Sequence, residues 1–341
     1  NMDRVLWAFA VNTVIANLDT YNGYFQHNYY LYQTEDGLFQ MIPWDVTESF
    51  VGALVNFDSN YDIFYEYDPY TGSNSWWQPL NFFINNHPYY KKLYTAHIRT
   101  VLEESLIASD IEDYVEYLQN IAAPSATVDP NKWFPMSQFY NNVTNEMNFP
   151  GFSTAGILST VAIRKPFLEN HAEIAKVTPA ISNVQLTGSL GSQYVTADIS
   201  NETQVDLMVT LSEYNSKFQG FAMYDDGSNG DATANDGVYT ALLPHQSDGR
   251  DIKFYIRAQN DDAIKVEPAR AQYEFFILPG TTGIDEMESQ QVEIFPNPFS
   301  DKTLVKWENQ SGDEYSVEVF DLNGKLIFEQ KRETTISKRE A

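Results

Sequence analysis

Cysteine is absent from all 341 residues. Disulfide scaffolds, thiolate zinc sites and cysteine nucleophiles are therefore excluded. That absence leaves the compartment open, although it suits an exported bacterial protein. Positive charge is scarce too: 21 Lys and Arg against 47 Asp and Glu leave a formal net charge of -26. Nucleic acid and anionic membrane are poor partners for such a chain, because phosphate binding needs clustered Lys and Arg. No apolar run reaches the roughly 18 residues of a membrane span. The five histidines, His27, His87, His97, His171 and His245, show no metal spacing such as His-x-x-x-His. No Gly-x-Ser-x-Gly elbow marks a serine hydrolase.

The length has room for about two or three domains at roughly 100–200 residues each. Three textures divide it. Residues 1–176 are rich in Tyr, Phe, Trp and Asn and mix helix with hairpin signals. Met2, Val5, Leu6, Phe9, Val11, Val14, Ile15 and Leu18 predict a helix over 2–17. No charged n-region and apolar h-region precede it, so no signal peptide is expected. A helix that opens uncapped on Asn1, and a last segment (333–341) that closes no strand pattern, predict chain missing at both ends. Further helical patterns run at about 79–120 and 136–173, with a Pro-containing interruption near 123–135. Residues 178–278 read as all-β, with about seven short strands. In Asp251–Ala258, for example, Ile252, Phe254, Ile256 and Ala258 alternate with Lys253, Tyr255 and Arg257. That pattern predicts an immunoglobulin- or fibronectin type III-like sandwich. A polar, turn-rich linker over 279–290 leads to a small β segment at 291–341, where Asn323-Gly324 signals a hairpin. The fold class expected is thus multidomain, α+β followed by all-β.

Within the first region, a polar loop (17–28) precedes strands at 29–33 and 38–42, joined by a turn with Asp36-Gly37. Pro43-Trp44-Asp45 follows. A hairpin returns the chain, so Asp19 and Asn28 before it could meet Asp45 after it. Two carboxylates and an amide make an oxygen-rich set suited to Mg²⁺ rather than zinc. Protein kinases order their sites similarly: an Asp base, a metal-binding Asn, a short hairpin, then a metal-holding Asp. Their Asn lies five positions after the Asp, whereas nine separate Asp19 from Asn28. The same residues are equally at home as turn formers. Trp76-Trp77 and the tyrosines of 62–70 offer either a sugar platform or ordinary packing.

Asn17-Leu-Asp-Thr-Tyr21, His27-Asn-Tyr-Tyr-Leu-Tyr32 and Ile42-Pro-Trp-Asp45, in this order and spacing, resemble the CotH family, the spore-coat-protein-H-like atypical protein kinases. Pro88–Tyr94 and Ile163–Leu168 are similar to the family's later helices. The resemblance implies a kinase-like fold, ATP with Mg²⁺ or Mn²⁺ as cofactors, and phosphorylation of Ser or Thr on a protein substrate. It makes Asp19 the catalytic Asp, Asp45 the metal-holding Asp, and Asn28 the second metal contact. The family usually has another acidic residue two positions after this Asp; here Thr47 stands there, with Glu48 adjacent. The resemblance also implies that residues 1–176 are the C-terminal part of the kinase domain, with the nucleotide-binding lobe upstream. The chain alone is then expected to be inactive.

Tyr224–Thr240 gathers Asp225, Asp226, Asp231 and Asp236, but lacks the EF-hand order of ligands and its closing Glu. It reads either as a calcium loop or as a turn cluster. The stretch resembles β-sandwich modules attached to exported bacterial proteins, which implies a spacer or binding module. Val292–Phe299, with Pro296-Asn297-Pro298, and Val317–Leu326 resemble the C-terminal sorting domain of the type IX secretion system, here cut short. This implies a Bacteroidetes-type source, secretion or surface attachment, and the type IX machinery as partner. Two functions remain: an exported CotH-like kinase, or a cell-surface adhesin or structural protein that keeps the kinase-like fold without activity.

Overall fold

A computed structural model of the chain describes residues 1–51, 62–72, 77–132, 134–149, 152–189, 191–244, 249–280, 293–295, 304–306, 315–320 and 325–332. The first compact unit spans Asn1–Thr281 and the second Thr282–Ala341.

The first unit begins with helix α1 (Met2–Val14). It is shorter than the predicted 2–17, because Ala16 takes a left-handed φ of 49° and the Asn17 amide turns back to Asn12 O. Strands β1 (Tyr29–Gln33) and β2 (Phe39–Pro43) form the expected antiparallel hairpin, with Tyr30 opposite Ile42. Gly37 sits in its turn at φ 85°, a conformation that a side chain would oppose. A short helix α2 (Asp62–Tyr65) follows.

The helical run predicted over 79–120 is three helices: α3 (Pro79–Asn86), α4 (Pro88–Glu104) and α5 (Ala108–Val128). Pro79 and Pro88 each open a helix, where a missing N–H costs nothing. The break expected near 123–135 comes later, because α5 carries Pro124 inside it. No α5 residue is buried, so water can reach the carbonyl that Pro124 leaves unpaired. The second run, 136–173, is also divided. Helix α6 (Met136–Asn141) is followed by a small hairpin, β3 (Met147–Phe149) with β4 (Phe152–Thr154), and then by α7 (Ile157–Glu169).

An all-β region follows: β5 (Ala180–Ser189), β6 (Ser192–Ser200), β7 (Gln204–Thr210), β8 (Gln219–Ala222), β9 (Val238–Leu242), β10 (Ile252–Gln259), β11 (Ile264–Glu267) and β12 (Phe276–Leu278). One antiparallel sheet has the order β5-β6-β9. The other has the order β11-β10-β7-β8, with β12 also paired to β10. The inner faces share a core of Val195, Ala197 and Ile199 against Val205, Leu207, Phe254 and Ile256. Strand β7 is buried on both faces: Val205, Leu207 and Val209 face the inter-sheet core, and on the other face Asp206 pairs with Arg257 at 2.9 Å. Its outward Met208, with Tyr255, Ile264 and Val266, joins the core built by Leu6, Phe9, Ala10, Tyr94, Ile98 and Val101 of α1 and α4.

The helical and all-β regions are therefore sewn together. Trp7 Nε1 donates to Ala271 O at 2.9 Å and its ring stacks on buried His97, with centroids 4.0 Å apart. His97 Nε2 lies 2.9 Å from Asp3 Oδ1. The β1–β2 turn is also held: Ser216 Oγ donates to Asp36 Oδ2 at 2.5 Å, and Tyr214 OH to Glu35 at 2.6 Å.

In the second unit, β13 (Glu293–Phe295) pairs with β14 (Leu304–Lys306), and β15 (Tyr315–Phe320) with β16 (Leu326–Arg332). These two flanks match the strands expected beside Asn323-Gly324. That turn, Pro296-Asn297-Pro298 and most of the expected linker lie outside the described residues. No helix among the described residues is long and apolar enough to cross a membrane.

Candidate functional site

The loop after α1 is assembled from buried polar side chains. Asn17 Nδ2 donates to Asn12 Oδ1 at 3.2 Å, and Asn12 Nδ2 to Thr20 Oγ1 at 3.3 Å. Asn17 Oδ1 accepts from the Asp19 amide at 3.3 Å. The amides of Tyr24 and Phe25 both donate to Leu18 O. Gly23 lies so close that a Cβ there would stand 2.3 Å from that same oxygen, so no larger residue fits without moving the loop.

Arg164 of α7 holds the loop from below. Its guanidinium is almost fully buried and donates to Thr13 O, at the end of α1, and to Tyr65 O and Tyr67 O. Burial pulls its pKa down to about 10. Thr160 Oγ1 of the same helix donates to Phe50 O at 2.9 Å. The amides of Phe50 and Val51 return to Ile15 O and Ala16 O. The segment after Asp45 is thereby tied to the end of α1, at the same end of the hairpin as the Asp19 loop.

Asp19 and Asn28 are in direct contact. Asn28 Nδ2 donates to Asp19 Oδ2 at 2.9 Å and to Asp19 O at 3.0 Å. Asn28 sits at the foot of the hairpin with φ 56°, and its carbonyl accepts from the Trp44 amide at 2.9 Å. The next residue, Asp45, is also left-handed, with φ 47°. Its Oδ1 accepts from Thr47 Oγ1 at 2.6 Å and from the Thr47 amide at 3.3 Å. These Thr47 bonds hold its pKa below the usual carboxylate range, with a smaller contribution from the charge of His27. Thr47, where the CotH resemblance led to an acidic residue being expected, thus engages Asp45 through Oδ1 alone.

His27 carries more than the sequence suggested. Noted there only for its lack of metal spacing, it places Nε2 at 2.7 Å from Asp19 Oδ1. It therefore touches one candidate carboxylate and acts electrostatically on the other. Its adjacency to Asn28 was the only signal. Buried Asn12, Thr20 and Arg164 were likewise not singled out, although Thr20 and Arg164 lie inside quoted motifs. The hairpin beside the site exposes Tyr30, Ile42 and Trp44, and the Tyr30 and Trp44 rings meet edge to face. Of the possible sugar platform, Trp76 lies outside the described residues, as does His245.

A second acidic group lies in the all-β region. Carboxylate oxygens of Asp225, Asp231 and Asp236 approach within 4.8 Å of one another. Asp225 accepts from the amides of Asp236 and Gly237, Asp231 from Gly227, and Asp236 from Val238. These bonds are those of a turn cluster holding its own loop.

A buried polar loop and a hairpin thus gather Asp19, Asn28 and Asp45 at one end of the hairpin in a mixed α+β region. Residues 1–149 match the family model described as CotH kinase protein, and residues 293–340 that of the secretion system C-terminal sorting domain. The chain carries a CotH kinase domain and a type IX sorting domain, and the latter marks it for secretion or the cell surface. No curated protein and no solved structure matches it.

Proposed function

We propose that this chain belongs to an exported CotH-like protein kinase, which transfers the ATP γ-phosphate to Ser or Thr of a protein. The observation that carries this reading is the contact between Asp19 and Asn28, with Trp44 N bonded to Asn28 O, which sets Asp45 at the same end of the hairpin.

Asp19 accepts or orients the proton of the substrate hydroxyl. His27 and Asn28 each engage one of its oxygens, and each oxygen keeps a lone pair for that hydroxyl. The donor set fits a hard divalent cation: Asp45 offers Oδ2, and Asn28, with Nδ2 committed to Asp19, offers Oδ1. Mg²⁺ or Mn²⁺ held there would neutralise charge on the nucleotide phosphates. The two sheets over 180–278 fit an immunoglobulin- or fibronectin type III-like sandwich. The sorting domain fits a Bacteroidetes-type source.

The test is phosphate transfer from labelled ATP by the full-length protein with Mg²⁺ or Mn²⁺. Asp19→Asn and Asp45→Asn should each lower transfer by on the order of 10²-fold or more. Unchanged transfer in both variants would overturn the assignment.

A further inference from the structure

The tip of the β1–β2 hairpin is gripped by the loop that joins β7 to β8 in the all-β region. Ser216 Oγ donates to Asp36 Oδ2 at 2.5 Å, Lys217 Nζ to Asp36 O at 2.9 Å, and Tyr214 OH to Glu35 Oε2 at 2.6 Å. Asp36 Oδ1 meanwhile accepts from Thr34 Oγ1, so one carboxylate both closes the turn and fastens it to the loop. The loop is itself held from several sides. Ser216 is buried, and its carbonyl accepts from Thr210 Oγ1 at 2.6 Å. Lys253 Nζ of β10 donates to Ser212 O at 3.2 Å and to Asn215 Oδ1 at 2.7 Å. Asn215 and Lys217, on either side of Ser216, take left-handed φ values of 50° and 57°. Residues other than glycine keep that conformation where the surrounding structure fixes them.

The hairpin needs a hold at this end. A two-stranded ribbon is marginal by itself. On one face Met41 is buried and Tyr29 packs against the main core, but the other face, with Tyr30, Tyr32 and Ile42, is exposed. Strands of five residues put the grip about 17 Å from the foot, at about 3.3 Å per residue. At the foot, the bond from the Trp44 amide to Asn28 O continues the ladder, and the left-handed Asn28 and Asp45 lie at its end. Strands that fray from the turn lose the register that sets these two residues, and their strained backbone relaxes. We propose that the β7–β8 loop is part of the site: Ser216 and Lys217 are positioning residues that, by gripping Asp36, hold Asn28 and Asp45 in place beside Asp19. The consequence for phosphate transfer rests on the kinase reading; the grip on the hairpin does not.

The test is hydrogen exchange of the full-length protein, read by mass spectrometry, with transfer from labelled ATP measured in parallel. A double variant, Ser216→Ala with Lys217→Met, removes both bonds to Asp36. Residues 29–44 should then exchange at least about 10-fold faster. Residues 93–102 of α4 should exchange as in the wild type, because the main core is untouched. The kcat should fall about 10-fold, since a misplacement of about 1 Å can cost about 10²-fold. Ser216→Ala with Lys217→Arg restores one donor and should recover most of that loss, a difference between Met and Arg that simple destabilisation of the fold would not produce. Wild-type exchange at 29–44 in the double variant, faster exchange there with undiminished transfer, or loosening that extends equally to α4 would overturn the proposal. A wild type that transfers no phosphate, with a double variant that loosens at 29–44 alone, would overturn the kinase reading and support the grip.

Discussion

Arg164→Met tests whether the end of α1, and with it the Asp19 loop, depends on a buried cation. Methionine keeps the apolar stem and most of the volume, so the change isolates the guanidinium. Two opposing terms set the result. Three carbonyls, those of Thr13, Tyr65 and Tyr67, lose a charged donor, and each such hydrogen bond is worth about 1.5–3 kcal/mol, although Thr13 O keeps the Ala16 amide at 3.3 Å. Against this, the variant no longer buries a charge. The fall in the Arg164 pKa from 12.5 to about 10 corresponds to a penalty of about 3 kcal/mol at about 1.4 kcal/mol per unit. The carbonyl term wins, and the expected net loss is about 3 kcal/mol. Urea denaturation at neutral pH, followed by far-UV circular dichroism, would measure it. Lysine at this position should recover little, because one ammonium cannot span three carbonyls in the planar manner of a guanidinium. A loss under about 1 kcal/mol for Arg164→Met would refute the reasoning, since it would mean that charge burial cancels the bonds.

Two further outcomes follow from the geometry. Asp45 titrates below the usual carboxylate range because of Thr47, so its folded-state pKa lies below its unfolded value. The contribution of its charge is present above the unfolded pKa and is lost as pH falls through the folded one. Thr47→Val should therefore move the acid limb of Mn²⁺ binding to higher pH, measured by titration calorimetry across the acidic range; an unmoved limb would count against the Thr47 bonds. Trp7→Phe removes the donor to Ala271 O while keeping an aromatic ring over His97, and should cost about 1–2 kcal/mol. A scanning-calorimetry transition that stays single but shifts down would show the helical and all-β regions unfolding together.

The placement of Asp19, Asn28 and Asp45 near one another was legible because their motifs are local. The hairpin follows from alternating residues around Asp36-Gly37, and its return path puts Asn28 beside Trp44 and hence near Asp45. Proline positions misled wherever solvent could compensate, as at Pro124 in α5. The contact of His27 with Asp19 was not legible, since a histidine in a polar loop carries no periodic signal. Arg164 was equally hidden: its partners are backbone carbonyls about 100 to 150 residues away in sequence, and carbonyls have no identity in the text.

By itself the sequence determined the local elements, the exclusion of thiol chemistry from a chain without cysteine, and the motifs of the two matched domains. Hydrophobic period, turn residues and composition are properties of short windows, so no folded partner was needed to read them. Only the tertiary structure decided that α1 and α4 close over the outer face of the β7–β10 sheet, making the helical and all-β regions one unit. Strand β7 alternates Val205, Leu207 and Val209 with Gln204, Asp206, Met208 and Thr210, the pattern of a strand with one wet face; that its second face is covered depends on elements about 100 to 200 residues earlier. The same packing left α5 without a buried residue, which burial reveals and periodicity does not.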